Sequence, residues 1–141
     1  MKVNFEDKKV AQMGHLLFCI GFDDNKILRF IKETLSLEEV DEKPRFSQAT
    51  FELEHFSLAV DEVDQKLFLT GGIDFMSNSE CAYVHCYDLE LDEWQRYPPS
   101  MIVKRQQHSS CTLAGNLYVF CGLTSSYSNF LSSVEVFSYR Q

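Results

Sequence analysis

The sequence lacks a hydrophobic run long enough to cross a membrane. Its longest uninterrupted apolar stretch covers residues 16–22, whereas a membrane-spanning helix needs about 20 apolar residues. The beginning also does not resemble a secretory signal peptide, because Lys2, Lys8 and Lys9 are interspersed with acidic residues and no small-residue cleavage site follows the apolar stretch. We therefore expect a cytoplasmic protein.

Basic residues are scarce. The 141 residues include 13 lysines and arginines against 21 aspartates and glutamates, which gives a formal net charge of −8. Proteins that follow a nucleic-acid backbone carry clustered basic residues, and here only Lys104 and Arg105 form a basic pair near the middle of the chain. The composition therefore argues against a nucleic-acid partner.

The cysteines form no recognisable disulfide or zinc framework. Their number, five, is odd, and the sequence contains no Cys-x-x-Cys motif. A reduced cysteine within an apolar run behaves as a small hydrophobic residue, as expected in a reducing compartment. The cysteines in or beside such runs are Cys19, Cys81, Cys86, Cys111 and Cys121.

The chain repeats itself at an interval of about 50 residues. Residues 67–72 and 117–122 are apolar runs that end in glycine, and residues 84–87 and 134–137 repeat at the same shift of 50. A fainter copy at residues 16–21 aligns with residues 117–122 at a shift of 101. Two separate elements in one register indicate a true repeat, and a period of this length is typical of solenoids and propellers.

Each repeat contains four short segments with strand character. Each repeat begins with an alternating segment and a turn, which are followed by a buried apolar segment, a polar connection and further strand segments. This order is typical of one propeller blade. The spacing of residues 26–40 also suits an amphipathic helix, but helix caps are absent and the repeat register favours strands. The predicted first strands cover residues 9–13, 55–60 and 108–113, the third strands end at residues 30, 87 and 137, and the fourth strands cover residues 37–40 and 93–97.

The second repeat carries a recognisable motif. Gly71-Gly72 closes a strand, Tyr87 and Trp94 follow at a spacing of seven residues, and Pro98-Pro99 comes next. An Arg-x-x-His-Ser sequence at residues 105–109 leads into the first strand of the third repeat. In these features the chain resembles kelch-repeat proteins of the galactose oxidase/kelch superfamily over almost its entire length. The resemblance implies an all-β fold of kelch-like β-propeller blades, with about 2.8 four-stranded antiparallel blades and therefore an incomplete propeller.

The resemblance also implies blade boundaries and structural residues. We expect a degenerate blade 1 at residues 1–54, blade 2 at 55–107, and blade 3 at 108–141 without its last strand. Glycines at strand ends reach backbone angles closed to other residues and let the next blade approach, and Tyr87 and Trp94 should pack their rings on adjacent strands against the neighbouring blade. The expected structural residues are Gly21, Phe30, Gly71, Gly72, Tyr87, Trp94, Gly122 and Phe137.

No group of residues predicts a catalytic or metal site. On an extended strand Cys81 and His85 would stand roughly 13 Å apart, too far to share a zinc ion whose ligands lie about 2.3 Å from it. The sequence contains no Gly-x-Ser-x-Gly elbow, no Gly-Lys-Ser/Thr phosphate loop and no Asp-x-Asp-x-Asp-Gly calcium loop. We expect no enzyme activity, no catalytic residue, no metal and no cofactor.

The connections between the second and third strands are the predicted partner-binding elements. The resemblance implies binding through these connections, here residues 73–80 and 123–130, and through the segments between blades. Both connections mix small polar residues with aromatic rings or methionine, as recognition surfaces do; folding of these rings back onto the blade is the alternative. The predicted partner-binding residues are Asp74, Phe75, Met76, Asn78, Lys104, Arg105, Tyr127, Asn129 and Phe130.

The sequence therefore predicts a non-enzymatic protein–protein interaction module, a scaffold or adaptor segment built of kelch repeats. The substrate-receptor part of a cullin-type ubiquitin ligase is an alternative, and a propeller resembling the copper enzyme galactose oxidase is a remote one. Because closed propellers typically have about 4 to 8 blades, 2.8 blades predict a fragment, a truncated product, or a chain that completes its ring by self-association. The expected partners are proteins, and neither nucleic acid nor membrane.

Overall fold

The computed structural model describes residues 8–21, 25–40, 44–47, 52–96, 100–124 and 129–140. Nearly all of these residues lie in antiparallel sheets or in the turns between strands, so the all-β prediction is confirmed. Residues 26–40 form two strands and a turn rather than the rival helix. The elements are β1 (Lys8–Met13), β2 (Leu16–Gly21), β3 (Lys26–Ile31), β4 (Ser36–Glu39), α1 (Pro44–Ser47), β5 (Leu53–Glu54), β6 (Ser57–Asp61), β7 (Lys66–Thr70), β8 (Ile73–Asp74), β9 (Ser79–Glu80), β10 (Val84–Asp88), β11 (Glu93–Arg96), β12 (Ser109–Leu113), β13 (Asn116–Phe120), β14 (Leu123–Thr124), β15 (Asn129–Phe130) and β16 (Val134–Ser138).

Three larger sheets follow one another along the chain, and two small sheets, β5-β8-β9 and β14-β15, complete the described strands. The first sheet has the order β1-β2-β3-β4, the second β6-β7-β10-β11, and the third β12-β13-β16 within the described residues. Strand β6 lies beside both β1 and β12, so the first strands of the three sheets are neighbours. The apolar runs form the second strands, which have a neighbouring strand on each side within every sheet. The second strand of the second sheet, β7, is buried on both faces.

The register of the first sheet corrects the sequence alignment by one residue. Met13 pairs with Leu16 across a two-residue turn, and Leu113 pairs with Asn116 across an equivalent turn in the third sheet. The first and third sheets therefore superimpose at a shift of 100 residues and not 101. A shift of one residue moves every side chain of a strand to the opposite face, so the sequence alignment had reversed the faces of the first sheet.

The same register corrects the role of Phe30. Tyr87 pairs with Leu67 on the second strand of its sheet, and the residue that pairs with the corresponding Leu17 is Leu28. Leu28 is only 1% exposed, whereas Phe30 lies two residues further along β3 and is 38% exposed. The assignment of Phe30 as the counterpart of Tyr87 was therefore wrong, because the hairpin of β3 and β4 extends further beyond the sheet than the hairpin of β10 and β11.

The first hydrophobic core lies between the first and second sheets and contains a cluster of aromatic rings. Tyr87 and Trp94 pair directly across β10 and β11 with ring centroids 5.4 Å apart. Phe46 of α1 is fully buried, with its ring centroid 5.4 Å from Phe18 of the first sheet, 5.0 Å from Tyr87 and 5.5 Å from Trp94. Tyr87 and Trp94 thus pack towards the neighbouring sheet as expected, but through a residue that the sequence analysis did not identify.

The second hydrophobic core lies between the second and third sheets. Phe68 and Cys86 of the second sheet pack with Leu117 and Val119 of the third, and Phe137 adds its ring at the margin. Phe137 therefore occupies the structural position that the sequence predicted for it.

Polar contacts fix the same two sheets to each other. The Ser57 hydroxyl lies 2.7 Å from the Ser110 hydroxyl between β6 and β12. Beyond the end of β16, Tyr139 donates its hydroxyl to Asp61 Oδ2 at 2.6 Å. The second and third sheets are thus joined by both apolar packing and directional hydrogen bonds.

Candidate partner-binding surface

The candidate surface lies at the end of the sheets where the second strands finish and the third strands begin, called here the loop end. Two hairpins occupy it: β8 with β9, and β14 with β15. The described ends of both predicted connections therefore pair as short ladders. Residues 100–107, the linker between the second and third sheets, run along the same end, with the Met101 amide donating to Ala82 O at 2.8 Å.

The turn between β8 and β9 is held by the side chain of Asp74. Its Oδ1 accepts hydrogen bonds from the amides of Met76 at 2.9 Å and Ser77 at 3.4 Å, which is the arrangement of an Asx turn. Asn78 completes the turn with a φ of 51°, a conformation that asparagine tolerates better than most residues. Asp74 and Asn78, predicted as partner-binding residues, therefore shape the backbone of this turn.

The side chains at the tip of this turn project into solvent. Phe75 is 55% exposed and Met76 is 76% exposed. The Phe75 amide donates to Glu52 O at 2.9 Å, so the backbone that carries the ring is tied to the sheet. Both side chains therefore keep more than half of their surface open to solvent.

The corresponding hairpin of the third sheet presents a further aromatic ring. Asn129 and Phe130 form β15 and pair with Thr124 and Leu123. Both β15 residues are exposed, Phe130 at 85% of its surface. Tyr127, another predicted partner-binding residue, lies outside the described residues.

The linker adds one predicted residue to the surface and one that the sequence did not suggest. Lys104 is exposed, as its assignment requires. Ile102 is 91% exposed. Its own amide and that of Val103 donate to the carboxylate of Glu135, and these bonds fix the backbone that holds the Ile102 side chain in solvent. An isolated isoleucine in a sequence gives no sign of such exposure, so the signal for this residue exists only in the structure.

Arg105 corrects the sequence prediction, because it is buried and engaged within the chain. Its side chain is 0% exposed and its Nη2 lies 2.9 Å from Glu135 Oε2. The same guanidinium donates to Cys121 O at 3.0 Å and to Ser133 O at 3.1 Å. Arg105 therefore fixes the linker to the base of the third-sheet hairpin and offers nothing to a partner.

Glycines let the linker and the sheets come close together at the loop end. A Cβ atom on Gly71 would stand 2.5 Å from Arg105 O, and one on Gly72 would stand 2.6 Å from Glu54 O. Gly122 is approached in the same way by Gln106 O, at 2.6 Å from the position of a Cβ. The close approach expected of these strand-end glycines is observed, and it places the linker directly against the ends of both second strands.

Two buried histidines lie beneath this surface. A hydrogen bond joins His108 Nε2 to the Thr70 hydroxyl at 2.8 Å. Burial, assisted by the positive charge of Arg105, lowers the pKa of His108 to about 4, and burial with Arg96 nearby lowers the pKa of His85 to about 4. Both rings are therefore neutral at physiological pH and act as packed polar residues.

The opposite end of the second sheet is acidic and closed by its own hydrogen bonds. Burial raises the pKa of Asp61, but the Tyr139 hydroxyl and the amides of Asp64 and Val63 outweigh it, so that the pKa lies below its usual value. Asp88 holds the next turn in the same manner, and its carboxylate binds Lys66 at 2.6 Å. These carboxylates are used within the fold, which makes this end a poorer candidate for recognition.

Other kinds of site were sought in the described part of the chain. Among those residues, no three histidine, cysteine, aspartate or glutamate side chains come together as metal ligands. No described helix has the length and apolar character needed to cross a bilayer. All five cysteines are free thiols, and Cys111 and Cys121 are exposed, contrary to the expectation that they serve as buried apolar residues.

Comparison with known families agrees with the repeat and with the sheets. The kelch motif matches residues 57–101 and again residues 104–141. These two segments cover more than half of the chain, which therefore belongs to the kelch-repeat family. The second and third sheets lie within the matched segments and are consistent with partial kelch blades, as predicted. Kelch repeats are generally protein-interaction modules without enzyme activity. A search of curated proteins found no significant match.

Proposed function

We propose that the chain is a binding module that captures a protein partner through its loop end. The observation that carries the proposal is the pair Phe75 and Met76, which is 55% and 76% exposed on a turn fixed by Asp74. Aromatic residues and methionine are enriched at protein interfaces, and a fixed backbone reduces the entropy lost on binding. Phe130 and Lys104 extend the same surface.

Site-specific photocrosslinking tests the proposal directly. A photoreactive residue replaces Met76, and in a matched control it replaces Val63, which is 82% exposed in the turn between β6 and β7 at the opposite end of the sheet. The proposal expects discrete crosslinked proteins from position 76 in cells, their loss when F75S is added, and none from position 63. Equal crosslinking from both positions, or an unchanged product with F75S, would contradict it.

Association with further blades is a second candidate function. It is favoured by the third sheet, where Leu113, Val134 and Val136 are 66%, 57% and 55% exposed. Apolar side chains grouped on one face of a sheet mark an interaction surface more often than isolated ones do.

A further inference from the structure

The outer face of the third sheet is an uncharged surface in a chain with a net charge of −8. Strands β12, β13 and β16 place nine side chains on it in three rows, because opposed residues of adjacent strands share a face. None of the nine is charged, although 24% of the chain is. The rows are Ser109–Phe120–Val134, Cys111–Tyr118–Val136 and Leu113–Asn116–Ser138.

The equivalent rows of the other two sheets are covered. In the second sheet the row corresponding to Cys111–Tyr118–Val136 is Ala59–Phe68–Cys86, whose members are 6%, 1% and 1% exposed. In the first sheet it is Ala11–Phe18–Ile27, with Phe18 at 0% and Ile27 at 2%. Each of these rows has a small first member and an aromatic second member, and in both sheets the aromatic side chain is buried by the sheet that follows.

The covering sheets show what chemistry fits such a row. Phe18 and Ile27 share the first core with Leu67 and Tyr87 of the second sheet. Phe68 and Cys86 share the second core with Leu117, and Phe137 packs against it. Each time the covering face offers a leucine from its second strand, paired to an aromatic residue of its third strand.

The chain itself carries one more face of this kind, the outer face of the first sheet. Leu17 stands where Leu67 and Leu117 stand in the other sheets, paired to Leu28 in the aromatic position. Leu67 and Leu117 are 0% exposed, whereas Leu17 is only partly buried. Cys19 and Leu28 on this face are already buried, so its open apolar part consists of Leu17 with Val10 and Phe30, of which the last two are 45% and 38% exposed. The same face also carries exposed Gln12 and the exposed Lys26–Glu39 ion pair.

We propose that the outer face of the third sheet docks onto the outer face of the first sheet of a second copy of this chain. The contact is head to tail, and such contacts close into a ring when the rotation between copies permits. Two copies with three sheets each give six blades, within the range of about 4 to 8 found in closed propellers. This inference rests on the proposed association with further blades and is independent of partner capture at the loop end.

The mass of the chain in solution tests the docking. Light scattering should give twice the 16.4 kDa of one chain, with the dimer favoured at higher salt because each copy carries a charge of −8. V136E should halve the mass, whereas V63E, which adds the same charge at a valine of the β6–β7 turn, should leave it unchanged. A monomer at every concentration, or equal effects of V136E and V63E, would overturn the proposal.

Mixing two variants distinguishes head-to-tail docking from pairing of two identical faces. V10E and V136E should each be monomeric alone, and equal amounts of the two should form a dimer through the one interface left intact. If V10E alone stays dimeric, the contact does not use the first sheet and the proposal is wrong. Circular dichroism of each variant confirms that the sheets are folded.

The exposed thiols give a second, independent measurement. Cys111 lies in the middle row of the proposed contact, while Cys121 is exposed but lies outside the three rows. Raising the concentration of the unmodified chain should slow alkylation of Cys111 and leave Cys121 unaffected, and V136E should abolish the difference. Equal reactivity of Cys111 at all concentrations would overturn the proposal, and Met76 crosslinking in V136E reports separately on the loop end.

Discussion

Replacement of Arg105 by methionine should destabilise the chain far more than replacement of an exposed charge. The guanidinium is 0% exposed and binds Glu135, two backbone carbonyls and the Ser133 hydroxyl. Breaking a buried ion pair costs about 3–5 kcal/mol, because the remaining charge stays buried without its partner. Since a typical domain unfolds with only about 5–15 kcal/mol, R105M should remove a large fraction of the total stability.

Urea unfolding followed by circular dichroism measures this loss, and a double-mutant cycle assigns it. R105M with E135L should be more stable than R105M alone, because no buried charge is then left unpaired. E93Q is the control, since the Arg45–Glu93 pair is 60% and 43% exposed and such pairs contribute about 0–1 kcal/mol. The reasoning fails if R105M costs less than E93Q, or if the losses of R105M and E135L simply add.

Two further predictions concern pH and backbone conformation. The pKa of His85 and of His108 is about 4 in the folded chain against 6.5 ordinarily, so the unfolded chain binds more protons than the folded chain between these pH values. The free energy of unfolding should therefore be highest above about pH 6.5 and should fall towards pH 4 by about 3 kcal/mol for each ring. Urea midpoints at pH 7 and pH 4.5 measure this, and H85Q should flatten the dependence; a midpoint independent of pH would contradict it. G72A should lower the free energy of unfolding by at least about 2 kcal/mol, because its Cβ would meet Glu54 O. G14A is the control, since no atom lies within 4 Å of its Cβ, and it should cost only the conformational strain of about 1–2 kcal/mol. Equal losses of stability in thermal unfolding would show that crowding at Gly72 is not the cause.

The sequence allowed the strands and their order to be predicted because both depend on local patterns. Apolar runs that end in glycine indicated the central strands. The period of 50 predicted that the second and third sheets have the same strand order. The first sheet was placed one residue out of register because its similarity is faint, and a one-residue error is invisible in apolar runs without alternation. Pairing in the sheet, and not the end of the predicted third strand at residue 30, decides which residue occupies the position of Tyr87.

The candidate surface was predictable only in part, since exposure depends on tertiary contacts. Phe75, Met76 and Phe130 were found because aromatic or large apolar residues stood out in polar connections. Arg105 was assigned to the same surface because it lies in the predicted segment between blades, and only the fold brings Glu135 and two carbonyls around it. Phe46 was missed because a single turn of helix leaves no periodic signal.

The linker between the second and third sheets determines how the repeats unfold. Repeat proteins usually gain their stability from each unit and from contacts between neighbouring units. Here the linker is bonded on both sides, with the Gly72 amide donating to Arg105 O at 2.9 Å and the Gln106 amide donating to Leu123 O at 3.0 Å. Release of either sheet must break the hydrogen bonds of this shared segment, so the second and third blades should lose structure in one cooperative transition.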